Sequence, residues 1–192
     1  VTGYLVQQGA QPARRHNTGT ASGSRPPGPI PRSSTGDAYA GWPDVTLAAS
    51  RSDPAMLKAV LARGGDPEAT TSTGLPALHV AIAASSPATV VALLDAGASP
   101  TRPDRAGHSP LGVAVSQGRK EIVQVLLERG ASPNERGAGD TAPLTAAVRR
   151  GDADIVQMLL AHGAQAGTGK GDEAPLILAT LGGDAATVSL LL

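Results

Sequence analysis

The chain has 192 residues, with 16 basic and 16 acidic side chains, no cysteine, 41% apolar residues and only 2% aromatics. Balanced charge gives no overall field to draw in nucleic acid or an acidic membrane. The lack of cysteine excludes disulfides and cysteine-bearing metal sites and leaves the redox compartment open. No apolar run approaches the roughly 18 residues that would span a bilayer, and with no Phe the core must be Leu, Val, Ile and Ala, which suits thin stacked helices.

The chain opens on Leu5-Val6-Gln7-Gln8-Gly9-Ala10-Gln11-Pro12, which aligns with Leu93-Leu94-Asp95-Ala96-Gly97-Ala98-Ser99-Pro100. Residues 1–15 therefore read as the tail of an upstream repeat. Residues 16–37 are dominated by Gly, Pro, Ser and Thr and keep no apolar period, so they read as a flexible, mildly basic insertion. Its run Pro26-Pro27-Gly28-Pro29-Ile30-Pro31 could be a polyproline-like docking segment; a neutral linker is the alternative.

From residue 38 onward a 33-residue step governs the sequence. Leu126–Leu127 followed by Gly130–Ala131 has counterparts at Val60–Leu61/Gly64–Gly65, Leu93–Leu94/Gly97–Ala98 and Leu159–Leu160/Gly163–Ala164. The repeats expected are 38–70, 71–103, 104–136 and 137–168, the last with one deletion before a truncated unit at 169–192. Neither end carries the polar outer face of a terminal repeat, so a fragment of a longer array, frayed at both ends, is expected.

One unit shows why it folds. In 104–136, the polar stretch up to Ser109 predicts a turn, with Gly107 supplying a backbone angle forbidden to a side chain. Pro110 opens a first helix with Leu111, Ala114 and Val115 on its apolar face, and Gly118 ends it. Ile122, Val123, Val125, Leu126 and Leu127 stripe a second helix, closed by Gly130. Asp53–Pro54 and Ser86–Pro87 announce second helices elsewhere, and Asp152 and Asp184 hold the same cap position, with Arg119 the exception. Asp140 and Asp172 replace the turn glycine; Gly139 and Gly171 beside them suggest a shifted turn. Such helix pairs cannot bury their apolar faces alone and must stack on copies.

The turn, the helix start Ser109-Pro110-Leu111-Gly112 (Pro76-Ala77-Leu78-His79 one unit earlier) and the closing Gly-Ala together resemble the ankyrin repeat. The resemblance implies an all-α helix-turn-helix solenoid with short hairpin-like turns, and a protein-interaction scaffold without catalysis. It also implies that His79 ties neighbouring turns together by hydrogen bonds; a metal-ligand role would need a histidine column, and Thr46, Gly112, Thr145 and Ile177 stand there instead.

No catalytic set emerges. His16, His79, His108 and His162 lie in different repeats or in the insertion. The stretch 164–171, AQAGTGKG, has neither the first glycine nor the final hydroxyl of a phosphate loop, and a helix precedes it rather than a strand. No cofactor and no metal are expected. Recognition in such arrays falls on turn tips and the exposed side of the first helix. This implies Tyr39, Trp42, Arg51, Leu75, Arg105, His108, Gln117, Arg136, Arg149 and Arg150 as partner-binding residues, with Lys170 and Glu173 further along. Tyr39, Trp42 and Arg51 could form an anchor; alternatively Trp42 packs on the insertion. Arg105, Arg136, Arg149, Arg150 and Lys170 could form a basic strip for acidic peptides, diluted by Asp104, Glu135 and Glu173. The expected partner is a protein or peptide, with no nucleic acid, for a monomeric chain in a cytoplasmic setting. The alternative is a targeting module of a larger enzyme or effector.

Overall fold

The computed structural model describes residues 43–137, 140–167 and 174–192. Among them run ten helices in five pairs: α1 (Asp44–Ser50) with α2 (Pro54–Ala62), α3 (Ala77–Ala83) with α4 (Pro87–Asp95), α5 (Pro110–Ser116) with α6 (Lys120–Glu128), α7 (Pro143–Arg150) with α8 (Ala153–Ala161), and α9 (Pro175–Leu181) with α10 (Ala185–Leu191). First helices start 33 residues apart until Pro175, which follows Pro143 by 32. Each first helix packs on its own second helix and on the next first helix, and the second helices form a parallel row behind. The tail at 1–15 and the insertion at 16–37 lie outside the described residues.

The core is a set of columns. Ala48, Ala81, Ala114 and Ala147 are fully buried, one per first helix. With only a methyl group between backbones, the first helices can approach closely. Leu93, Leu126 and Leu159 are likewise fully buried, one per second helix, and Leu57, Val90, Val123 and Val156 form a parallel column. Burying each such side chain contributes about 1.5–3 kcal/mol. The core among the described residues is aliphatic throughout. The last pair has a neighbour on one side only, and there Leu181 is 75% and Leu192 89% exposed.

Three turns repeat one bond pattern. The amide of Thr71 donates to the carbonyl of Leu75, Asp104 to His108 and Gly137 to Thr141, at 2.9, 3.0 and 3.2 Å. The residue before the acceptor takes a left-handed angle: Gly74 at φ 80°, Gly107 at 84° and Asp140 at 58°. The shift expected beside Asp140 is therefore absent: the aspartate itself adopts the glycine's conformation, and the register is kept. Asp172 and Gly171 lie outside the described residues. One isolated antiparallel bridge, Thr70 with Pro76, is the β character seen among the described residues.

The second helices begin as their cap residues dictate, with one correction. Asp53, Asp152 and Asp184 each accept a backbone N–H from the helix they precede. Ser86 holds the same position, but its side chain caps nothing. Its buried hydroxyl pairs instead with that of Thr89 at 2.7 Å, an exchange open to two hydroxyls three residues apart. Arg119 provides no side-chain cap.

Candidate partner-binding surface

The first helices present one side to solvent. Leu47, Val113, Ala146 and Leu178, at equivalent places, are half-buried and their α3 counterpart Val80 is buried, whereas Ala83, Ser116, Arg149 and Arg150 at the helix ends are exposed. At the start of each first helix lies the turn edge, and at its end the loop leading to the second helix. A seven-residue helix is about 10 Å long, so the two edges are separate places.

The structure divides the predicted residues between these edges. Leu75, Arg105, His108 and Arg136 belong to the turn edge; Arg51, Gln117, Arg149 and Arg150 belong to the inter-helix loop edge. Tyr39, Trp42, Lys170 and Glu173 lie outside the described residues. The basic strip expected along one line is thus broken in two. Leu75 is half-buried against the core, so its side chain is only partly offered to a partner.

On the turn edge, polar groups are heavily used. Asp104 accepts from the amides of Ala106 and His108 at 2.8 and 2.9 Å and faces Nδ1 of His108 at 2.9 Å. Partial burial pushes its carboxyl up, but the bonds from the His108 amide and ring and from the Ala106 amide outweigh this and hold it below the ordinary carboxylate value. His79 reaches across the repeat boundary, its Nε2 bonding the carbonyl of His108, as the ankyrin resemblance implies. Burial lowers its pKa, and the bond to that carbonyl only partly offsets the effect. Arg136 pairs with Asp140 at 3.2 Å. Arg105 lies across Gly74, where an added Cβ would come within 2.3 Å of its Nε.

On the other edge, Arg150 donates to the carbonyl of Ser116 at 2.8 Å and lies over Gly118. Arg51 closes α1 and Gln117 closes α5, both exposed.

Sequence reasoning missed a ladder of ion pairs between adjacent repeats: Glu68 with Arg102, Asp95 with Arg129 and Lys120 with Asp154. Each joins residues 34 apart. Opposite charges recurring at one repeat step plus one residue would have revealed it. Lys120 donates to the carboxylates of Asp154 and Asp152, and these bonds, the one to Asp154 most, raise its pKa. Asn134 adds an uncharged rung, donating to the carbonyl of Gly163 and accepting from the amide of Gln165. Among the described residues no group of three or more His, Asp or Glu is placed to hold a metal ion, and no helix is long and apolar enough to cross a membrane.

A family model for ankyrin repeats (3 copies) matches residues 45–137, and one for a single ankyrin repeat matches residues 141–167. No curated protein matches the chain.

Proposed function

The chain belongs to the ankyrin-repeat family, and from that premise we infer that it is a protein-recognition module, monomeric and without catalysis of its own, that grips a protein or peptide partner along its first-helix side. Ankyrin repeats are in general protein-interaction modules. The observation that carries the reading here is the aliphatic row Leu47, Val80, Val113, Ala146 and Leu178, half-buried except at the buried Val80 and set between two polar edges. Interfaces pair such an apolar centre with a polar rim. His79, His108 and Asp104, the acid–base groups clustered on the turn edge, are engaged in bonds that hold neighbouring repeats and turns together.

The test is a proximity pull-down from the native host with the whole chain as bait, comparing wild type with Trp42→Ala/Arg149→Ala. A partner captured by the wild type and lost by the variant supports recognition through turn tips and first helices. A partner retained at equal recovery places the contact elsewhere and overturns the reading.

A further inference from the structure

We propose that the edge formed by the loops between first and second helices docks an extended acidic segment of a partner protein, an inference that rests on the recognition role above. The edge passes through residues 51–53, 84–86, 117–119, 150–152 and 182–184, one loop per repeat. Neighbouring loops are linked at two places. The Ser52 hydroxyl donates to the carbonyl of Ala84 at 3.3 Å, and Arg150 donates to that of Ser116 at 2.8 Å.

The charges on this edge are used unequally for a structural reason. Arg51, Arg119 and Arg150 are exposed on it. Its acids are Asp53, Asp152 and Asp184, and all three carboxylates accept backbone N–H groups of second helices. Asp152 also faces Lys120 at 3.3 Å. Among the described residues none of the three arginines is paired with a carboxylate. The chain as a whole is neutral, and these loops carry three arginines and three aspartates; the carboxylates are committed to capping second helices, whereas the guanidinium groups are open to a partner's carboxylate. On the turn edge Arg136 has Asp140 and His108 has Asp104, while Arg105 lies across Gly74.

Arg150 is also held in place. A Cβ on Gly118 would fall 2.3 Å from Nη2, so the guanidinium rests on bare backbone, anchored through Nη1 to Ser116. A guanidinium fixed in this way loses little freedom on meeting a carboxylate and can receive it in a two-pronged bond.

Distances set the length of the occupant. Arg51 and Arg150 stand three repeat steps apart. Helices pack about 8–10 Å apart, so the span is about 24–30 Å. An extended strand rises about 3.3 Å per residue and covers it in roughly seven to nine residues. Between the ends lie the uncharged Ala84, Ser85, Gln117 and Gly118, with a shallow groove lined by Ser85, Pro87 and Gly118 and by the charged Arg119, Lys120 and Glu121. Duplex nucleic acid fits less well: it carries charge every ~1.7 Å along its axis, whereas Arg51, Arg119 and Arg150 form a sparse row with about one to two repeat steps between successive arginines.

The test uses the whole chain and a labelled peptide of about twelve alternating Glu and Ser residues, long enough for the estimated span. Its all-Gln copy and a short DNA duplex serve as comparators. Binding is read by fluorescence anisotropy at about 50 and 300 mM salt, where screening lengths differ more than twofold. Arg51→Glu/Arg119→Glu/Arg150→Glu, checked for unchanged helicity, should weaken Glu-peptide binding about tenfold or more. Lys58→Glu, exposed on α2 away from this edge, should leave it unchanged, and the Gln copy should bind at least about tenfold more weakly. No binding of the Glu peptide, equal binding by the triple variant, or DNA binding as tight as the peptide's would each overturn the proposal. A partner from the pull-down that the triple variant still captures would sink the acidic-segment inference and leave the recognition reading intact.

Discussion

The Nε2 of His79 lies 3.0 Å from the backbone oxygen of His108, one repeat further along. Donation from Nε2 leaves Nδ1 bare, and that atom is buried without a hydrogen-bond partner. Asp104, His108 and Arg102 are the charged or titratable groups that act on it. Burial dominates and holds the imidazole below its ordinary value of 6.5. An unfolded chain therefore takes up the proton first as pH falls. The stability His79 contributes is whole above 6.5 and declines from there down through the lower folded value. Urea midpoints measured from about pH 7.5 to 5 should fall, and His79→Gln should flatten that slope. Asp104, held below its ordinary 3.8, acts in a separate window: its contribution stands above 3.8 and is lost as pH falls through its folded value. An unchanged slope in the His79 variant would refute the assignment.

Gly118 has φ +69° and carries Arg150 over it. Gly118→Ala should cost about 1 kcal/mol, chiefly from forcing a side chain into the left-handed region. Adding Arg150→Ala to it should restore little, because displacing the guanidinium gives up one exposed hydrogen bond to Ser116 while the left-handed angle stays unfavourable. Thermal melts of the two variants decide; full rescue would mean that the clash, not the angle, sets the cost.

Leu126 is fully buried in the middle of the array, whereas Leu181 near its last turn is 75% exposed. Leu126→Ala should cost about 2–5 kcal/mol through the cavity it leaves. Leu181→Ala should stay within about 0.5 kcal/mol of wild type. Chemical denaturation of both, followed by far-UV dichroism, makes the comparison.

α6 has no side-chain cap at Arg119, while α8 has Asp152. Asp152→Ala should destabilise by about 0.5–2 kcal/mol, and Arg119→Asp should stabilise by a comparable amount. If both variants melt with the wild type, the caps do not set stability here.

The pair between Asp95 and Arg129 is solvent-exposed on both sides. A double-mutant cycle should give less than about 1 kcal/mol of coupling, falling further in high salt. A larger, salt-independent coupling would count against the reading.

Much of this fold was legible because repetition exposes it. A 33-residue step, the proline that opens a first helix and the Leu-Leu followed by Gly each locate an element without reference to the rest. What escaped was decided between side chains. Ser86 looks like a cap until Thr89 is seen beside it, and Asp140 looks like a displaced turn until its φ of 58° is known. The expected binding residues were read as one surface because repeat position says how far along the array a residue stands. It does not say at which end of a short helix its side chain emerges, and that separates Arg105 from Arg150. The open arginines of the loop edge were hidden for a related reason: composition counts Asp53, Asp152 and Asp184 but does not show that their carboxylates turn to backbone amides and not to Arg51, Arg119 or Arg150.

Each helix packs chiefly on its own partner and on the adjacent repeat. The ion pairs between repeats bridge 34 residues and no more. Such a chain closes small loops one after another instead of waiting for its two ends to meet, and local closure is what makes folding fast. On the ribosome, a helix pair can settle on the pair already outside the exit tunnel while the next is still being made. A sheet that needs its last strand before its first is stable has no such route.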